Sequence, residues 1–355
     1  MMDEFRIDSH KLMYHLDRLK KWLDGEDIYP IYMEISPSGA CNQRCTFCAF
    51  DYLKYKAQFI DTKKLLAFLS EAARLGVKSV MYGGEGEPLL HKDIAEIINY
   101  TKKVGIDTAL TTNGTLLDKD FSERCLDSLT WVRVSLNAGT SKNYSRIHRS
   151  RPEDFKRVLN NITEAVKIKR RNNYSCTIGV QFLLLPDNYH EATKLAKRLK
   201  EIEVDYLIIK PYSHHPMSEN KIDRPFSYSD YLHLDSELHK LADDNFKVVF
   251  RINTIRKLEE KRPYKYCLGL PFWAYIDSDG NIYACSAFLG DARLIYGNIN
   301  QDPFEKIWNS DKRKKIMKMM ESDWNIDDCR EICRLDEINR YLWELKHPPE
   351  HANFI

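Results

Sequence analysis

The 355-residue chain lacks an excess of either charge, a long apolar run, an internal repeat and any low-complexity segment. Its 54 basic and 52 acidic side chains leave a formal charge of +2, so it has no overall basic field that would attract nucleic acid. A single basic run, residues 167–171, is expected at a solvent-facing helix end. No stretch approaches the ~20 apolar residues of a membrane-spanning helix, and the charged N-terminus has no signal-peptide core. These absences predict a globular cytoplasmic protein without a membrane or nucleic-acid partner.

Nine cysteines in a reducing compartment indicate metal ligands rather than disulfides. Three of them lie in the stretch Cys41-Asn-Gln-Arg-Cys45-Thr-Phe-Cys48, which contains no His. Three closely spaced thiolates suit an iron–sulfur cluster, whereas structural zinc takes four donors, usually as two pairs. A four-iron cube held by three thiolates leaves one iron open to a substrate or cofactor. The alternatives are a structural zinc site and buried cysteines without a ligand role.

The spacing CxxxCxxC, with the aromatic residue Phe47 before the last cysteine, resembles the signature of the radical S-adenosylmethionine (radical SAM) enzymes. The resemblance implies that Cys41, Cys45 and Cys48 hold a 4Fe-4S cluster whose fourth iron is chelated by the amino and carboxylate groups of S-adenosylmethionine. Reductive cleavage of that cofactor would yield a 5′-deoxyadenosyl radical that abstracts hydrogen from the substrate. A flavodoxin- or ferredoxin-type reductant is implied as a partner.

Strands and helices alternate along the first 250 residues, which predicts a parallel α/β sheet. The predicted strands are 31–36, 79–82, 107–112, 131–137, 177–185, 206–211 and 247–252. The predicted helices are 9–25, 62–75, 91–104, 118–129, 153–171, 188–201 and 228–244. Because barrel sites lie at the C-terminal ends of strands, the cysteine loop after the first strand marks the site. The family resemblance implies a partial (β/α)6 TIM-like barrel.

We divide the chain into three parts on this pattern. Residues 1–27 are expected to form a helical segment with Leu12, Leu16, Leu19 and Leu23 on one apolar stripe. Residues 28–252 are expected to form the barrel. Residues 253–355 are expected to form a small C-terminal extension and a tail.

A glycine-rich turn, Gly-Gly-Glu-Gly-Glu-Pro at 83–88, follows the second predicted strand. Glycines allow close approach of the backbone to a ligand, and a carboxylate can pair with an ammonium group. A plain tight turn between strand and helix is the alternative. After the cysteine motif, the run resembles the family's GGE segment, which implies that Gly83, Gly84 and Glu85 contact the amino group of S-adenosylmethionine. A register ending at Glu87 also fits, and we favour Glu85.

Period-two parity places the polar side chains of the strands on one face. Since the apolar face must pack against the helices, the polar face is expected to line the barrel lumen and to form the substrate site. The predicted lumen residues are Glu34, Ser36, Thr111, Asn113, Arg133, Ser135, Asn137, Gln181, Lys210, Tyr212 and Arg251. Its cations outnumber Glu34, which predicts an anionic substrate that carries phosphate or carboxylate. We expect Lys210, Tyr212, Arg251 and Gln181 to act on that substrate.

The resemblance also implies cofactor-binding roles outside the two motifs. Ser135 and Asn137 resemble the fourth-strand segment near the ribose of S-adenosylmethionine, although many relatives carry Asp where Asn137 stands. Asn113 resembles the third-strand segment near the cofactor or substrate. Arg146 and His148 lie where relatives often place an Arg. For each of these residues, the alternative is a buried, hydrogen-bonded group that holds the barrel together.

Four further cysteines follow the predicted barrel. The turn Asp-Ser-Asp-Gly-Asn at 277–281 predicts a hairpin between Cys267 and Cys285, and Cys329 and Cys333 form a later pair. Four donors could hold either an iron–sulfur cluster or zinc. The segment resembles the auxiliary-cluster extension of radical SAM enzymes, in its short "twitch" form rather than the full SPASM form. That resemblance implies a fully ligated 4Fe-4S cluster with a role in electron transfer.

Three radical reactions share this machinery. A dehydrogenase would pass an electron from the substrate radical to the auxiliary cluster. An epimerase would need a thiol in the lumen, whereas Cys125 and Cys176 are expected in the core. A ribosomal-peptide maturase often carries an N-terminal recognition domain, for which segment 1–27 is too short. We therefore expect oxidation of a small sugar- or cyclitol-like anion, and a non-catalytic iron–sulfur electron carrier is the remaining alternative.

Overall fold

The computed structural model describes residues 4–220, 222 and 227–354. Within them, ten strands form one sheet, and helices cross over between its first seven strands. The strands are β1 (Tyr32–Ile35), β2 (Ser79–Tyr82), β3 (Asp107–Thr112), β4 (Trp131–Ser135), β5 (Thr177–Leu184), β6 (Tyr206–Pro211), β7 (Lys247–Phe250), β8 (Trp273–Ile276), β9 (Asn281–Tyr283) and β10 (Ile295–Asn298). The helices are α1 (Leu16–Leu23), α2 (Thr62–Arg74), α3 (Ile94–Lys103), α4 (Lys119–Cys125), α5 (Ser141–His148), α6 (Pro152–Asn172), α7 (Ala192–Ile202), α8 (His233–His239), α9 (Ile252–Arg256), α10 (Phe304–Trp308), α11 (Asp311–Ser322) and α12 (Asp336–Lys346).

Strands β1 to β7 pair side by side, parallel and in chain order. Each successive pair is joined through at least one helix, which is the connection that parallel strands require. At the other edge of β1 lies β8 rather than β7, so the barrel is left open. The fold is therefore the partial α/β barrel that the sequence predicts.

Local signals in the sequence set where the crossover helices begin and end. The Asp61 carboxylate accepts from the Lys64 backbone N–H at 2.9 Å, which caps α2, and Asp118 caps α4 in the same way. Such caps satisfy amides that have no partner within the helix. Helix α6 begins at Pro152 and ends against Asn173, which adopts a left-handed conformation, as favoured at the two ends of a helix.

The outer face of the sheet packs on the helices, and the inner face encloses the lumen. On β4 the burial alternates: Val132 and Val134 are fully buried against the helices, whereas Arg133 on the inner face is partly exposed. The floor of the lumen is an apolar cluster that includes Tyr206 of β6. Only glycine fits beneath that ring, because a Cβ at Gly179 would lie 2.0 Å from it.

The C-terminal part extends the barrel sheet. Strand β8 adds to β1 in parallel, with Trp273 opposite Tyr32, and β9 and β10 follow as antiparallel strands. The predicted hairpin turn lies between β8 and β9, where Gly280 has φ = +82° and the Asp277 carboxylate accepts from the Asn281 amide at 2.8 Å. The sequence predicts this hairpin but not its addition to β1.

Several predicted elements differ from the observed ones. The N-terminal helix is only α1, preceded by a 3-10 turn, so the predicted stripe is wrong in part. Leu12 and Leu19 are buried in a cluster with Leu342 of α12, whereas Leu16 and Leu23 are 67% and 45% exposed. The predicted helix 228–244 is instead a 3-10 turn followed by the short helix α8.

Strands β4 and β7 each end two residues earlier than predicted. Strand β4 ends at Ser135, and the Asn137 side chain then accepts from the Leu183 amide of β5 at 2.6 Å. Strand β7 ends at Phe250, and Arg251 lies at the N-terminus of α9.

The division of the chain at residues 27 and 252 stays a prediction. Residues 1–3, 221, 223–226 and 355 of those three parts lie outside the described part of the chain. Among the described residues, no helix is both long and apolar enough to span a bilayer.

Candidate active site

The CxxxCxxC loop lies at the C-terminal end of β1 and packs against the glycine-rich turn after β2. The Glu87 amide donates to the carbonyl of Ala40 at 2.8 Å. A Cβ at Gly86 would lie 2.1 Å from the carbonyl oxygen of Ser38 and 2.4 Å from that of Ala40. Glycine at position 86 therefore allows the two loops to touch, which brings both sequence motifs to one site.

Polar side chains from the turn after β3 and from helix α5 hold the cysteine loop in place. Asn113, after β3, donates to Asn42 at 2.7 Å, and Asn42 donates to Thr115 at 2.8 Å. On the other side, Gln43 donates to the Tyr144 hydroxyl of α5 at 2.8 Å. The side chain of Asn113 thus binds the cysteine loop, and its predicted role near the cofactor or substrate stays a prediction.

His148, at the end of α5, also lies at the cysteine loop. Its Nδ1 is 3.4 Å from the Cys45 sulfur and 3.0 Å from the Gln43 amide oxygen. Its Nε2 accepts from the Asn137 backbone N–H at 3.2 Å, so it is the Nδ1 edge that faces the loop. Complete burial lowers the pKa of His148 to about 3. The ring of Phe47 packs edge-on against it, with the ring centroids 5.5 Å apart.

Two other predicted cofactor residues are engaged elsewhere. Asn137 is 1% exposed, and its side-chain oxygen accepts from the Leu183 amide, which links the end of β4 to β5. This is the role of a buried, hydrogen-bonded group that was the alternative to cofactor binding. Arg146 points away from the loop, because its guanidinium pairs with Asp187 at 3.2 Å and is 55% exposed. Ser135 is partly exposed on the inner face, opposite Gln181 of β5.

The two glutamates of the glycine-rich turn have different partners. The Glu85 carboxylate accepts from the Tyr275 hydroxyl and from the Ser278 amide, so it is bound to β8 and the turn after it. The Glu87 carboxylate accepts from the Thr112 hydroxyl at 2.6 Å and from the Asn113 amide at 2.7 Å, so it is bound to the end of β3. Burial raises the pKa of both carboxyl groups, and these hydrogen bonds lower it by a smaller amount. The cofactor role predicted for Gly83, Gly84 and Glu85 stays a prediction.

The lumen contains a strong excess of positive charge around Lys210. Burial lowers the pKa of Lys210 far below its usual value, and four arginines add to this effect. These arginines are Arg133, Arg251, Arg330 and Arg334. Two carboxylates balance part of the charge, since Asp8 pairs with Arg251 at 3.3 Å and Glu34 with Arg334 at 2.5 Å. Within the described part of the chain, Lys210 itself has no ion pair.

Three of the five lumen cations are predicted from strand parity, and two are not. Arg330 and Arg334 each follow directly after a cysteine of the C-terminal pair, Cys329 and Cys333. This repeated Cys-Arg pattern is the sequence signal that could have identified them. Asp8, which holds Arg251, was missed too. Its side chain crosses from the N-terminal segment to the start of α9, which no local pattern indicates.

Tyr212 and Gln181 complete the predicted substrate site. Tyr212 lies just past β6 beside a cavity of ≈460 Å³, and its hydroxyl is 3.3 Å from His214 Nδ1. Glu331, between the two arginines of the C-terminal pair, lines the same cavity. Gln181 pairs with Ile208 of β6 on the neighbouring strand. Tyr212 and Glu331 thus bring the end of β6 and the C-terminal segment to one opening.

The four C-terminal cysteines lie within electrostatic reach of one another. Burial, followed by the charges of Cys333 and Cys329, raises the pKa of Cys267 to about 12. Burial and the other three thiolates also raise the pKa of Cys285. The amides of Ala287 and Leu335 donate to the sulfurs of Cys285 and Cys333, both at 3.4 Å. The four cysteines thus influence one another electrostatically, although no three or more Cys, His, Asp or Glu side chains of the described residues are already arranged around a metal position.

Two family models match the chain. The Radical SAM superfamily model matches residues 35–199, and the SPASM model, an iron–sulfur cluster-binding domain, matches residues 267–334. Together they contain all seven cysteines of the two motifs. The chain belongs to the radical SAM superfamily. It has the SPASM-type auxiliary-cluster domain as well as the radical SAM domain.

Similar proteins include several radical SAM enzymes. A GTP 3′,8-cyclase of Chlorobaculum tepidum is 29% identical over 214 residues, which are 59% of this chain and 60% of that protein. An AdoMet-dependent heme synthase of Methanosarcina barkeri is 25% identical over 294 residues, 77% of this chain and 80% of that protein. The structure of Streptococcus suis SuiB bound to S-adenosylmethionine aligns with a TM-score of 0.65 and 21% identity, over 87% of this chain and 72% of that chain. At that identity, the likeness to SuiB shows the fold alone.

The donor set fits the cofactors of a radical SAM enzyme: one 4Fe-4S cluster with S-adenosylmethionine and one auxiliary 4Fe-4S cluster. Burial raises the pKa of Cys41 to about 11, and burial with the charges of Cys48 and Cys41 raises the pKa of Cys45. These shifts mean that ionisation of the thiols is unfavourable without a nearby cation, which the irons of a cluster supply when thiolates bind them. All nine cysteines are free. Cys125 and Cys176 lie in the core, 0% and 1% exposed, as predicted.

Proposed function

We propose that this radical SAM enzyme oxidises a small sugar- or cyclitol-like substrate that carries an anionic group. The observation that carries the proposal is Lys210, a cation on β6 without an ion pair among the described residues and within electrostatic reach of four arginines. An array of cations of this kind is costly unless an anion balances it. When bound, the cofactors supply a hydrogen-abstracting 5′-deoxyadenosyl radical and an electron acceptor. The alcohol would lose one hydrogen atom, one electron and one proton and become a carbonyl.

The residues of this chain would divide the work by position. Lys210 on β6 and Arg133 on β4 would bind the anionic group through charge-assisted hydrogen bonds. Arg251 would contribute charge while Asp8 holds it in place. Tyr212, beside the cavity, and Gln181 on β5 would orient the hydroxyl-bearing part of the substrate.

The glycine-rich turn would act in cofactor binding mainly through its backbone. Gly83 and Gly84 leave the backbone open to a ligand. The Glu85 carboxylate is already satisfied by Tyr275 and Ser278, so we propose that Glu85 positions the turn against β8. His148, in contact with Cys45, would support the cysteine loop together with Ser135 and Asn137 on the neighbouring strand.

Epimerisation and peptide modification have less support from this chain. Epimerisation needs a hydrogen donor such as a free thiol at the substrate, and Cys125 and Cys176 are both in the core. A small, strongly cationic lumen favours a compact anion over a peptide.

The test is a set of anaerobic assays on reconstituted protein. Dithionite-reduced enzyme should convert S-adenosylmethionine to 5′-deoxyadenosine, and anionic sugar or cyclitol alcohols should accelerate this and yield one carbonyl product for each 5′-deoxyadenosine. Two 4Fe-4S clusters predict roughly eight irons per chain, falling to about four in the triple variant Cys41→Ala/Cys45→Ala/Cys48→Ala. Neutral analogues that react as well as anionic ones, or an epimer in place of a carbonyl, would rule out this function. A protein fully loaded with iron that forms no 5′-deoxyadenosine would be an electron carrier.

A further inference from the structure

Arg330 and Arg334 link the auxiliary-cluster segment to the wall of the barrel. Arg330 donates from Nε to the hydroxyl and from Nη2 to the carbonyl of Ser213, both at 3.1 Å, just beyond β6. Arg334 pairs with Glu34 on β1 at 2.5 Å. Cys333 lies between the two arginines in the sequence. The segment that supplies two auxiliary ligands therefore also forms part of the lumen wall.

The electrostatic neighbours of Arg330 include both cysteine motifs and the lumen. Burial lowers the pKa of Arg330, and the charges of Cys333 and Cys48 oppose that effect. Arg330 and Arg334 in turn lower the pKa of Lys210, after burial and Arg251. Arg330 thus lies within electrostatic reach of one ligand of each cluster and of the proposed anion site.

We propose that Arg330 and Arg334 serve two sites at once: they bind the anionic group of the substrate, and they set the reduction potential of the auxiliary cluster. This inference deepens the proposed function and rests on it. A cation beside an iron–sulfur cluster favours its reduced form, because reduction adds negative charge. An anion bound to these arginines offsets their charge, so substrate binding lowers the potential. The auxiliary cluster is then kept oxidised, and ready to accept an electron, while substrate is bound.

The experiment is a redox titration of the holoenzyme, with the auxiliary cluster followed by electron paramagnetic resonance. Inorganic phosphate is the probe, and malonate is its carboxylate counterpart. In the wild type, at least one of the two anions shifts the auxiliary potential to lower values in a saturable manner. Arg330→Gln and Arg334→Gln lower the potential without any anion and weaken the anion response by about tenfold or more, as expected for a lost charge-assisted hydrogen bond.

A matched control separates the lumen from general surface charge. Lys318 is exposed on α11 and lines an outer groove that also contains Cys267. Lys318→Gln therefore removes a charge from a groove whose lining includes Cys267 but none of the five lumen cations, and its anion response stays within about twofold of the wild type. Arg330→Lys keeps the charge, so it retains the wild-type potential even if its single ammonium binds the anion less tightly.

Three results would overturn the proposal. In the first, the wild type holds both clusters, but neither anion shifts the auxiliary potential in a saturable manner. In the second, Lys318→Gln loses the anion response as fully as Arg330→Gln. In the third, calorimetry detects anion binding without any shift in the auxiliary potential. None of them depends on turnover. Formation of 5′-deoxyadenosine and carbonyl product tests the proposed function separately, so the two can fail independently.

Discussion

At the scale of single residues, Lys210 is a position where the proposed binding site lowers the stability of the folded protein. Its ammonium group shares the lumen with four arginines, and burial and these charges hold its pKa well below the usual value. A group that is easier to deprotonate in the folded state than in the unfolded state destabilises the fold while it is charged. Such a residue persists when its function requires it.

Replacement of Lys210 by Met should therefore stabilise the ligand-free protein by about 1 kcal/mol. The gain should be complete at pH values below the folded-state pKa of Lys210. It should shrink as the pH rises from that value toward the unfolded-state pKa, because the wild-type folded protein then loses its unfavourable charge. Thermal unfolding at several pH values measures this, and Lys197→Met, at an exposed position of α7, is the control. A destabilised Lys210→Met variant, or a gain that grows with pH, would contradict the argument.

At the scale of elements, the cysteine loop depends on its neighbours for its shape. It contains no regular secondary structure between β1 and residue 48, and its amides at Arg44 and Thr46 donate to the end of α5. Asn113 ties it to the end of β3 through Asn42. The loop is therefore positioned largely by the end of α5 and by the turn after β3.

We expect Asn113→Ala to loosen the loop and to accelerate loss of the radical SAM cluster by about tenfold, since a buried hydrogen-bonded network contributes about 1–3 kcal/mol. The bleaching rate of the cluster absorbance in air and the retained iron after gel filtration measure the effect. Asn99→Ala, which removes an exposed amide on α3, should behave as wild type. Equal retention in the two variants would show that the loop does not need this tether.

At the scale of the whole molecule, contacts between residues distant in sequence join the N-terminal segment to the last strands of the barrel. Asp8 is buried, pairs with Arg251, and accepts from the Asn253 amide at 2.7 Å and from the Thr254 hydroxyl at 2.6 Å. In the same segment, Phe5 packs at a tilted angle against Tyr206, with 5.1 Å between the ring centroids. The N-terminal segment therefore packs along β6 and β7 and neutralises one of the lumen cations.

Asp8→Asn should cost about 2–3 kcal/mol of unfolding free energy, because it leaves the buried Arg251 without its counterion. Urea denaturation measures the change. The control is Glu4→Gln in the same segment, where the carboxylate is 65% exposed and 4.0 Å from Lys247, and it should change the stability by less than about 0.5 kcal/mol. Similar effects of the two substitutions would mean that the segment acts only through general charge.

The sequence alone determined the features that local spacing encodes. Three ligands of a cluster within eight residues, a second set of four, alternating strands and helices, and the parity that brings Arg133, Lys210 and Glu34 to one face are all contained in short windows. Spacing and periodicity express such features directly, because a loop around a cube and a strand with two faces are local geometries.

Only the tertiary structure decided which distant groups meet. Glu85 is captured by Tyr275, 190 residues away, so its side chain is bound to β8. Asp8 reaches Arg251, 243 residues away. Arg334 joins Glu34 because β8 adds to the free edge of β1 and carries the C-terminal segment to the barrel mouth. These contacts depend on which strands become neighbours in the sheet. That strand order follows from packing of the whole chain rather than from any one stretch of it.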